Sequence, residues 1–360
     1  MRATVVPHRR PGVQTSLFRG NSGRFRCRAP GGRCRCGNLP PVNTPDRPVC
    51  VLGLGLIGGS LLRAVVDSGR PAWGWNRSTG AVDAARADGY DVTADIASAL
   101  QRAAEEDALV VVAVPMPAVD TVLESVAAHA PHCVLTDVVS VKAEMAAAVA
   151  RAGLGARFVG GHPMAGTSAS GWLAADVDLF RNAVWVVTVD DDTDPDAWLA
   201  VADLALSSGS VVVPARADDH DRAVARVSHL PHLLAEALAA VGAQGGELTL
   251  RLAAGSFRDG TRVAGTAPAL VSAMCDANAP ALVDALDEAL AALHSARDAL
   301  VADASTETLV SAGHAARSRY DEQLQWWEIT DVVVGSPSWQ GDLVDAGRRG
   351  GVVQRLPRRA

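Results

Sequence analysis

The chain has 360 residues, a formal net charge of −7, and 49% hydrophobic residues, with only 4% aromatics. That length accommodates two globular domains, and no apolar run reaches the roughly 18 residues that a membrane span needs. Charge is unevenly spread: residues 1–47 carry ten Arg, no Lys and one acid, a balance of +9 that leaves −16 on residues 48–360, so the body is a poor partner for nucleic acid or an anionic membrane.

Residues 1–47 are rich in Arg, Pro and Gly and lack a hydrophobic period, which predicts a disordered basic extension. The segment has too few Ser and no amphipathic helix for a transit peptide, and no apolar core for an export signal; a bacterial tail or an over-called translation start fits better. The six cysteines do not form a disulfide framework. Cys50 and Cys133 fall in predicted strands and Cys275 in a helix. Cys27, Cys34 and Cys36 lie in the head without a fourth ligand, so no metal is expected. The usage suits a reducing, cytoplasmic compartment.

From residue 49, apolar runs at 49–53, 72–75, 108–114, 133–138 and 157–160 alternate with Ala-rich helical stretches near 56–68, 80–88, 95–105, 117–129 and 141–152. This order predicts an α/β domain, a Rossmann-type parallel sheet covered on both faces. Runs at 183–189 and 210–213 flank a helix near 195–207 and are expected to extend the sheet. After Pro214 the strand pattern stops. Residues 218–243, 247–264, 267–275, 278–302 and 304–327 read as helices with apolar residues at i, i+3 and i+4. They are too rich in Ala and Leu to be solvated all round, which points to an all-helical dimerisation domain and a homodimer. The expected division is 1–47, 48–214, 215–327, and a tail at 328–360. The tail holds a short strand (329–334) and a helix (339–347) and has no assigned role.

Val49-Cys50-Val51-Leu52 runs into Gly53-Leu54-Gly55-Leu56-Ile57-Gly58, a strand followed by Gly-x-Gly-x-x-Gly and a helix. Gly53 permits the tight turn, Gly55 lets backbone approach a pyrophosphate, and Gly58 lets helix pack on strand. The helix start, with Leu56 and Ile57, offers free N–H groups to phosphate. An ordinary βα turn is the plainer alternative. The next strand ends in Asn76-Arg77-Ser78, without the acid that holds the ribose 2′-OH of NAD. Arg77 and Ser78 suit a 2′-phosphate, so NADP is favoured over NAD; a solvated Arg77 with NAD is the other reading. Val114 and Pro115 close the strand at 108–114 beside the nicotinamide side of the cleft.

Ser140 follows Thr136-Asp137-Val138-Val139 at a predicted helix start, as a site residue near the nicotinamide or a plain N-cap. His162 lies in Gly160-Gly161-His162-Pro163, on a tight loop expected at a strand's C-terminal end, where open α/β sheets bind ligands; a core histidine is the alternative. In Ser228-His229-Leu230-Pro231-His232 the paired His lack a third metal ligand, and Pro231 distorts the helix. Arg258 and Arg262 lie on a predicted helix. Arg262 is either a surface charge or a carboxylate clamp.

Taken in order, Gly53–Ser60, Asp137…Ser140-Val141-Lys142, Gly160–Gly166, Ser228–His232 and Arg258-Asp259-x-Thr261-Arg262 resemble the prephenate/arogenate dehydrogenase family of tyrosine biosynthesis, from about Pro48 to Tyr320. The resemblance implies a Rossmann domain followed by a helical dimerisation domain. It implies oxidative decarboxylation of a cyclohexadienol, with hydride passing to NAD or NADP. His162 would act as base on the hydroxyl, and Ser140 would hold that hydroxyl and orient the nicotinamide. Arg262 would bind a substrate carboxylate, with His232 in the same pocket. Ser168 stands where relatives carry a larger polar residue facing the substrate side chain, which leaves prephenate and arogenate both open. Ala267–Val271 replaces a common Asp-Pro-x-x-Trp segment. With no chorismate mutase helix before residue 48 and no full regulatory domain after 330, a monofunctional enzyme is expected. The rivals are a β-hydroxyacid dehydrogenase or imine reductase and a non-catalytic NAD(P) sensor. The hydroxyacid type relies on a lysine in the helical domain, and the only lysine here is Lys142.

Overall fold

Val49–Leu52 forms β1, whose four residues are all buried. Its side chains alternate: Val49 and Val51 enter one core while Cys50 and Leu52 enter the other. A strand buried on both faces has no polar side, which is why it reads as a continuous apolar run. The computed structural model describes residues 47–167, 169–322 and 326–360. The basic head with Cys27, Cys34 and Cys36, and Ser168, lie outside the described residues.

After β1 come α1 (Leu56–Asp67), β2 (Ala72–Trp75), α2 (Thr79–Ala87), β3 (Val92–Thr93), α3 (Ile96–Glu105), β4 (Leu109–Val112), α4 (Val119–His129), β5 (Val134–Asp137), α5 (Ala143–Arg151) and β6 (Phe158–Val159). The six strands form a parallel sheet in the order β3-β2-β1-β4-β5-β6. The order reverses between β1 and β4, where the crevice of a doubly wound sheet opens. Leu109 and Val111 of β4 join one core and Val110 and Val112 the other. This is the α/β architecture expected from the alternation of apolar runs and helices.

The extension of the sheet takes a different form. At Gly160 the chain leaves β6 and enters β7 (Gly161–Pro163), which pairs antiparallel with β8 (Val184–Thr188). α6 (Pro195–Ser207) then leads to β9 (Val211–Ala215), parallel to β8. These three strands make a separate sheet. Gly160 links it to the first, since its carbonyl accepts from the Thr188 N–H at 2.8 Å and its own N–H donates to Thr188 Oγ1 at 2.9 Å.

The helical region comprises α7 (Ala217–Val224), a π turn (Ala225–His229), α8 (Leu230–Gln244), α9 (Gly246–Leu252), α10 (Gly255–Gly260), α11 (Pro268–Ala277), α12 (Ala279–Asp303) and α13 (Glu307–Glu322). The π turn answers Pro231, which has no N–H and whose ring crowds the carbonyl four residues back. The stretch 247–264 is not the single helix expected. It breaks at Ala253 and Ala254 and ends in a 3₁₀ turn, Arg262–Gly265, so Arg262 stands on that turn. The buried apolar centre here is small, with Val271, Cys275 and Leu282 at its heart. Val241, Leu252 and Val301 are 66, 73 and 76% exposed, more apolar surface than helices keep in water unless a partner covers it. No single helix among the described residues is long and apolar enough to cross a membrane.

The tail returns to the α/β layer. β10 (Trp327–Glu328), β11 (Val333–Val334), α14 (Trp339–Arg348), β12 (Gly351–Val352) and β13 (Arg358–Arg359) follow in order. Val353 exchanges backbone hydrogen bonds with Val212 of β9 at 2.8 and 2.9 Å. Val334, Trp339 and Leu343 are buried in the same core as Trp198, whose ring lies 6.0 Å from that of Trp339.

Candidate active site

The glycine loop is built as its spacing requires. Gly53 has φ +111°, and a Cβ there would come within 2.5 Å of the Ala113 carbonyl oxygen. A Cβ on Gly58 would run into the Gly53 carbonyl oxygen. A Cβ on Gly55, in contrast, would meet nothing within 4 Å. The first and third glycines are therefore needed by the fold, while the second leaves open space over backbone. No side chain caps α1, so its first N–H groups, at Leu56 and Ile57, remain available to an anion. The loop fits a dinucleotide pyrophosphate. Val114 packs beside Gly53, and Pro115, exposed, begins the 3₁₀ turn Met116–Ala118.

Asn76 Oδ1 accepts the Leu54 N–H at 3.2 Å, bracing the loop from the end of β2. Arg77 is exposed and forms no ion pair among the described residues. Ser78 caps α2 by accepting from the Ala81 N–H, which leaves its hydroxyl proton free.

His162 sits in the middle of β7, opposite Val186, and not on the loop expected. Gly160 and Gly161 explain the difference. A Cβ on Gly161 would come within 2.6 Å of the Asp137 carbonyl oxygen and 2.9 Å of Trp185 Nε1, so glycine lets this strand lie hard against β5 and β8. Asp137 is fully buried. Its carboxylate accepts from the N–H of Val139 at 2.9 Å, the N–H of Gly161 at 3.1 Å, and the Lys142 ammonium. Lys142 also donates to the Gly161 carbonyl at 2.7 Å. The residue before His162 is thus held at both backbone polar groups.

Two residues that the sequence reading left unassigned complete the cluster. His162 Nδ1 lies 2.8 Å from His220 Nε2, and His220 Nδ1 lies 2.8 Å from an Asp221 carboxylate oxygen. Asp221 in turn accepts the N–H groups of Lys142 and Ala143, each at 2.8 Å. It therefore caps α5 from another element, and Ser140 is not that helix's N-cap: the helix starts at Ala143, and Ser140 stands partly exposed in the preceding loop. Burial, followed by the charges of His220, Lys142 and His229, pushes His162 well below the ordinary imidazole value of 6.5. It is a neutral imidazole over a wide range of pH.

His229 is buried, and its Nδ1 meets the Asn278 amide at 3.1 Å. His229 Nε2 and His232 Nδ1 are buried without a protein partner, the condition of groups that await a ligand or water. The turn carrying Arg262 packs on α8, whose first turn carries His232. Arg262 itself is exposed and pairs with none of the described residues. The structure gathers His162, His220, Asp221, Lys142 and Asp137 into one contact network; Arg262 and His232 stand on two elements that pack on each other, the 3₁₀ turn and α8.

A parallel sheet with the 3-2-1-4-5-6 order, an open glycine loop at the switch point and a half-buried neutral histidine following the Gly161 that packs on the end of β5 define a dinucleotide-dependent oxidoreductase carrying a helical second domain. Comparison with known proteins makes this particular. Residues 69–214 match the family model described as prephenate dehydrogenase, nucleotide-binding domain, and residues 216–312 match prephenate dehydrogenase, dimerization domain. The first match begins just beyond the glycine loop. The cyclohexadienyl dehydrogenase of Zymomonas mobilis is 34% identical over 266 residues, covering 71% of this chain and 89% of its own. A Corynebacterium glutamicum structure provisionally assigned as a prephenate dehydrogenase is 50% identical, with a TM-score of 0.81 over 85% of this chain and 98% of its own. The Aquifex aeolicus prephenate dehydrogenase, solved with hydroxyphenyl propionate and NAD+, is 25% identical, with a TM-score of 0.69 over 77% and 98%. The chain belongs to the prephenate dehydrogenase family, and it is a nicotinamide-dependent dehydrogenase.

Proposed function

We propose that the chain oxidatively decarboxylates prephenate to 4-hydroxyphenylpyruvate, with His162 as the base that takes the ring hydroxyl's proton. The observation that carries this reading is the neutral His162 held on β7, next to Gly161, which packs against Asp137 at the end of β5. A neutral imidazole accepts a proton, and positioned bases of this kind contribute about 10²–10⁴-fold to rate. Ser140, partly exposed in the loop after β5 with no hydrogen bond among the described residues, is assigned to holding the same hydroxyl. Arg262 and His232 are assigned to a substrate carboxylate: an exposed guanidinium free of ion pairs suits a planar anion, and the His232 Nδ1 lacks a partner. Ser168 is assigned to the substrate's side-chain end on the family resemblance.

The cofactor residues proposed are Gly53, Gly55, Leu56, Ile57 and Gly58 at the pyrophosphate, Asn76, Arg77 and Ser78 at the adenosine ribose, and Val114 and Pro115 at the nicotinamide side. The bound nicotinamide supplies the hydride acceptor. NADP is the favoured form, because no acid ends β2 and the Arg77 guanidinium is free for a 2′-phosphate. The exposed apolar residues of α8, α9 and α12 support a homodimer through the helical region.

Arogenate is the alternative substrate, in keeping with the similarity to the cyclohexadienyl dehydrogenase of Zymomonas mobilis. Initial rates with prephenate or arogenate, each with NAD or NADP, test the whole proposal. Turnover of prephenate with NADP foremost is the expected result. Silence in all four pairings would overturn it.

A further inference from the structure

We propose that His220 and Asp221 are positioning residues that hold His162 in the tautomer protonated at Nδ1, which leaves Nε2 as the basic nitrogen. This rests on the reading of His162 as the base and adds which nitrogen acts and what sets it. Two N–H groups, from Lys142 and Ala143, point at the Asp221 carboxylate. Burial opposes ionisation of Asp221, but the hydrogen bonds from His220 and from these amides outweigh it and hold the carboxyl below its usual range. A carboxylate only accepts, so His220 must carry its proton on Nδ1, 2.8 Å away. Burial keeps His220 itself neutral, pushed below 6.5 against the pull of Asp221. Its Nε2 is then a lone pair, and His162 Nδ1, 2.8 Å from it, must be the donor. The reverse arrangement would set a His220 nitrogen lone pair against the Asp221 oxygen.

The other charged groups facing this chain are already committed. Lys142 donates to Asp137 and to the Gly161 carbonyl, and His229 Nδ1 meets Asn278. When His162 Nε2 takes the hydroxyl proton, the imidazolium that forms keeps its Nδ1–H on His220, and the Asp221 charge stabilises it through that ring. No second proton moves. The order of groups resembles the base and orienting carboxylate of a hydrolase triad, with a second imidazole between them.

The ring nitrogens of ¹⁵N-histidine-labelled enzyme report the tautomer directly, with His162 assigned from the signals lost in His162→Asn. The expected spectrum has a protonated Nδ1 and an unprotonated Nε2 at His162. Protonation at Nε2 would overturn the inference whatever the variants do. His220→Gln keeps the polarity, because its amide donates to Asp221 and its carbonyl accepts from His162; His220→Phe keeps neither. The Phe variant should lose roughly 10²–10⁴-fold in kcat with KM little changed, and the Gln variant should recover a substantial part. Equal kcat in the two would contradict a tautomer role. The outcomes are separable: wild-type turnover in His162→Asn would remove the base itself, whereas an Nε2-protonated His162 in an enzyme that His162→Asn inactivates would remove only the part given to His220 and Asp221.

Discussion

Lys142, the chain's only lysine, is buried against the carboxylate of Asp137, and the same ammonium donates to the carbonyl of Gly161 at 2.7 Å. Burial pushes the Asp137 carboxyl up and the Lys142 ammonium down, and each opposes that push on the other. Such a pair adds little net stability, but breaking it strands a charge. Lys142→Ala should therefore cost about 3–5 kcal/mol in urea unfolding. A loss below about 1 kcal/mol, the range of exposed pairs, would contradict the arrangement.

The depressed His162 also fixes the acid side of the pH profile. The base works only when neutral, and its protonation in the folded enzyme lies well below 6.5 because of burial and the nearby His220, Lys142 and His229. The profile of kcat/KM, which reports groups of the free enzyme, should stay level as pH falls through 6.5 and decline only beneath it. A limb centred at or above 6.5 would place a different group in the role.

The same histidines link stability to acid. Burial lowers His229 from 6.5 to about 4. Between those values the unfolded chain takes up a proton that the folded chain refuses. The stabilisation is complete above pH 6.5 and is lost as pH falls towards 4, at up to about 1.4 kcal/mol per pH unit for each such group. His162 and His220 act with the same sign. Thermal unfolding at pH 7 and pH 5 should show a lower Tm at pH 5; an unchanged or higher Tm would refute it.

Gly55 and Gly58 separate binding from folding. Gly58→Ala places a methyl against the Gly53 carbonyl and should lower both Tm and dinucleotide affinity. Gly55→Ala enters open space and should leave Tm near wild type while weakening dinucleotide binding, measured by fluorescence titration. Equal losses of Tm in the two variants would mean that the second glycine serves the fold.

The exposed face of the helical region gives an assembly test. Leu252 and Val301 are 73 and 76% exposed, and a carboxylate is poorly tolerated in the apolar centre of an interface. Leu252→Asp and Val301→Asp should reduce the sedimenting mass or Tm of the assembly. Wild-type mass and Tm in both would place the partner surface elsewhere.

What could be read from the sequence follows from signal length. β1, the glycine loop and α1 were legible because an unbroken apolar run, three glycines and a helical period sit side by side. β3 has two residues, too few for a period. β7 was invisible because Gly-His-Pro has no strand signature; its pairing with β8 is imposed by the close approach that glycine allows. His220 and Asp221 lie within Asp218-Asp219-His220-Asp221-Arg222, a charged run at the start of the helix expected over 218–243, outside its apolar period. Tertiary packing turns His220 and Asp221, in the middle of α7, inward onto the start of α5. The tail did carry a signal: Trp339, Leu343 and Val344 are spaced as one face of a helix, and that face is buried.

In the proposed reaction His162 removes the substrate's proton. The most direct measurement is kcat for His162→Asn against wild type with prephenate and saturating cofactor, alongside the dinucleotide Kd of each. The expected result is a fall of about 10²-fold or more in kcat with cofactor affinity retained. Wild-type kcat in the variant would contradict the claim.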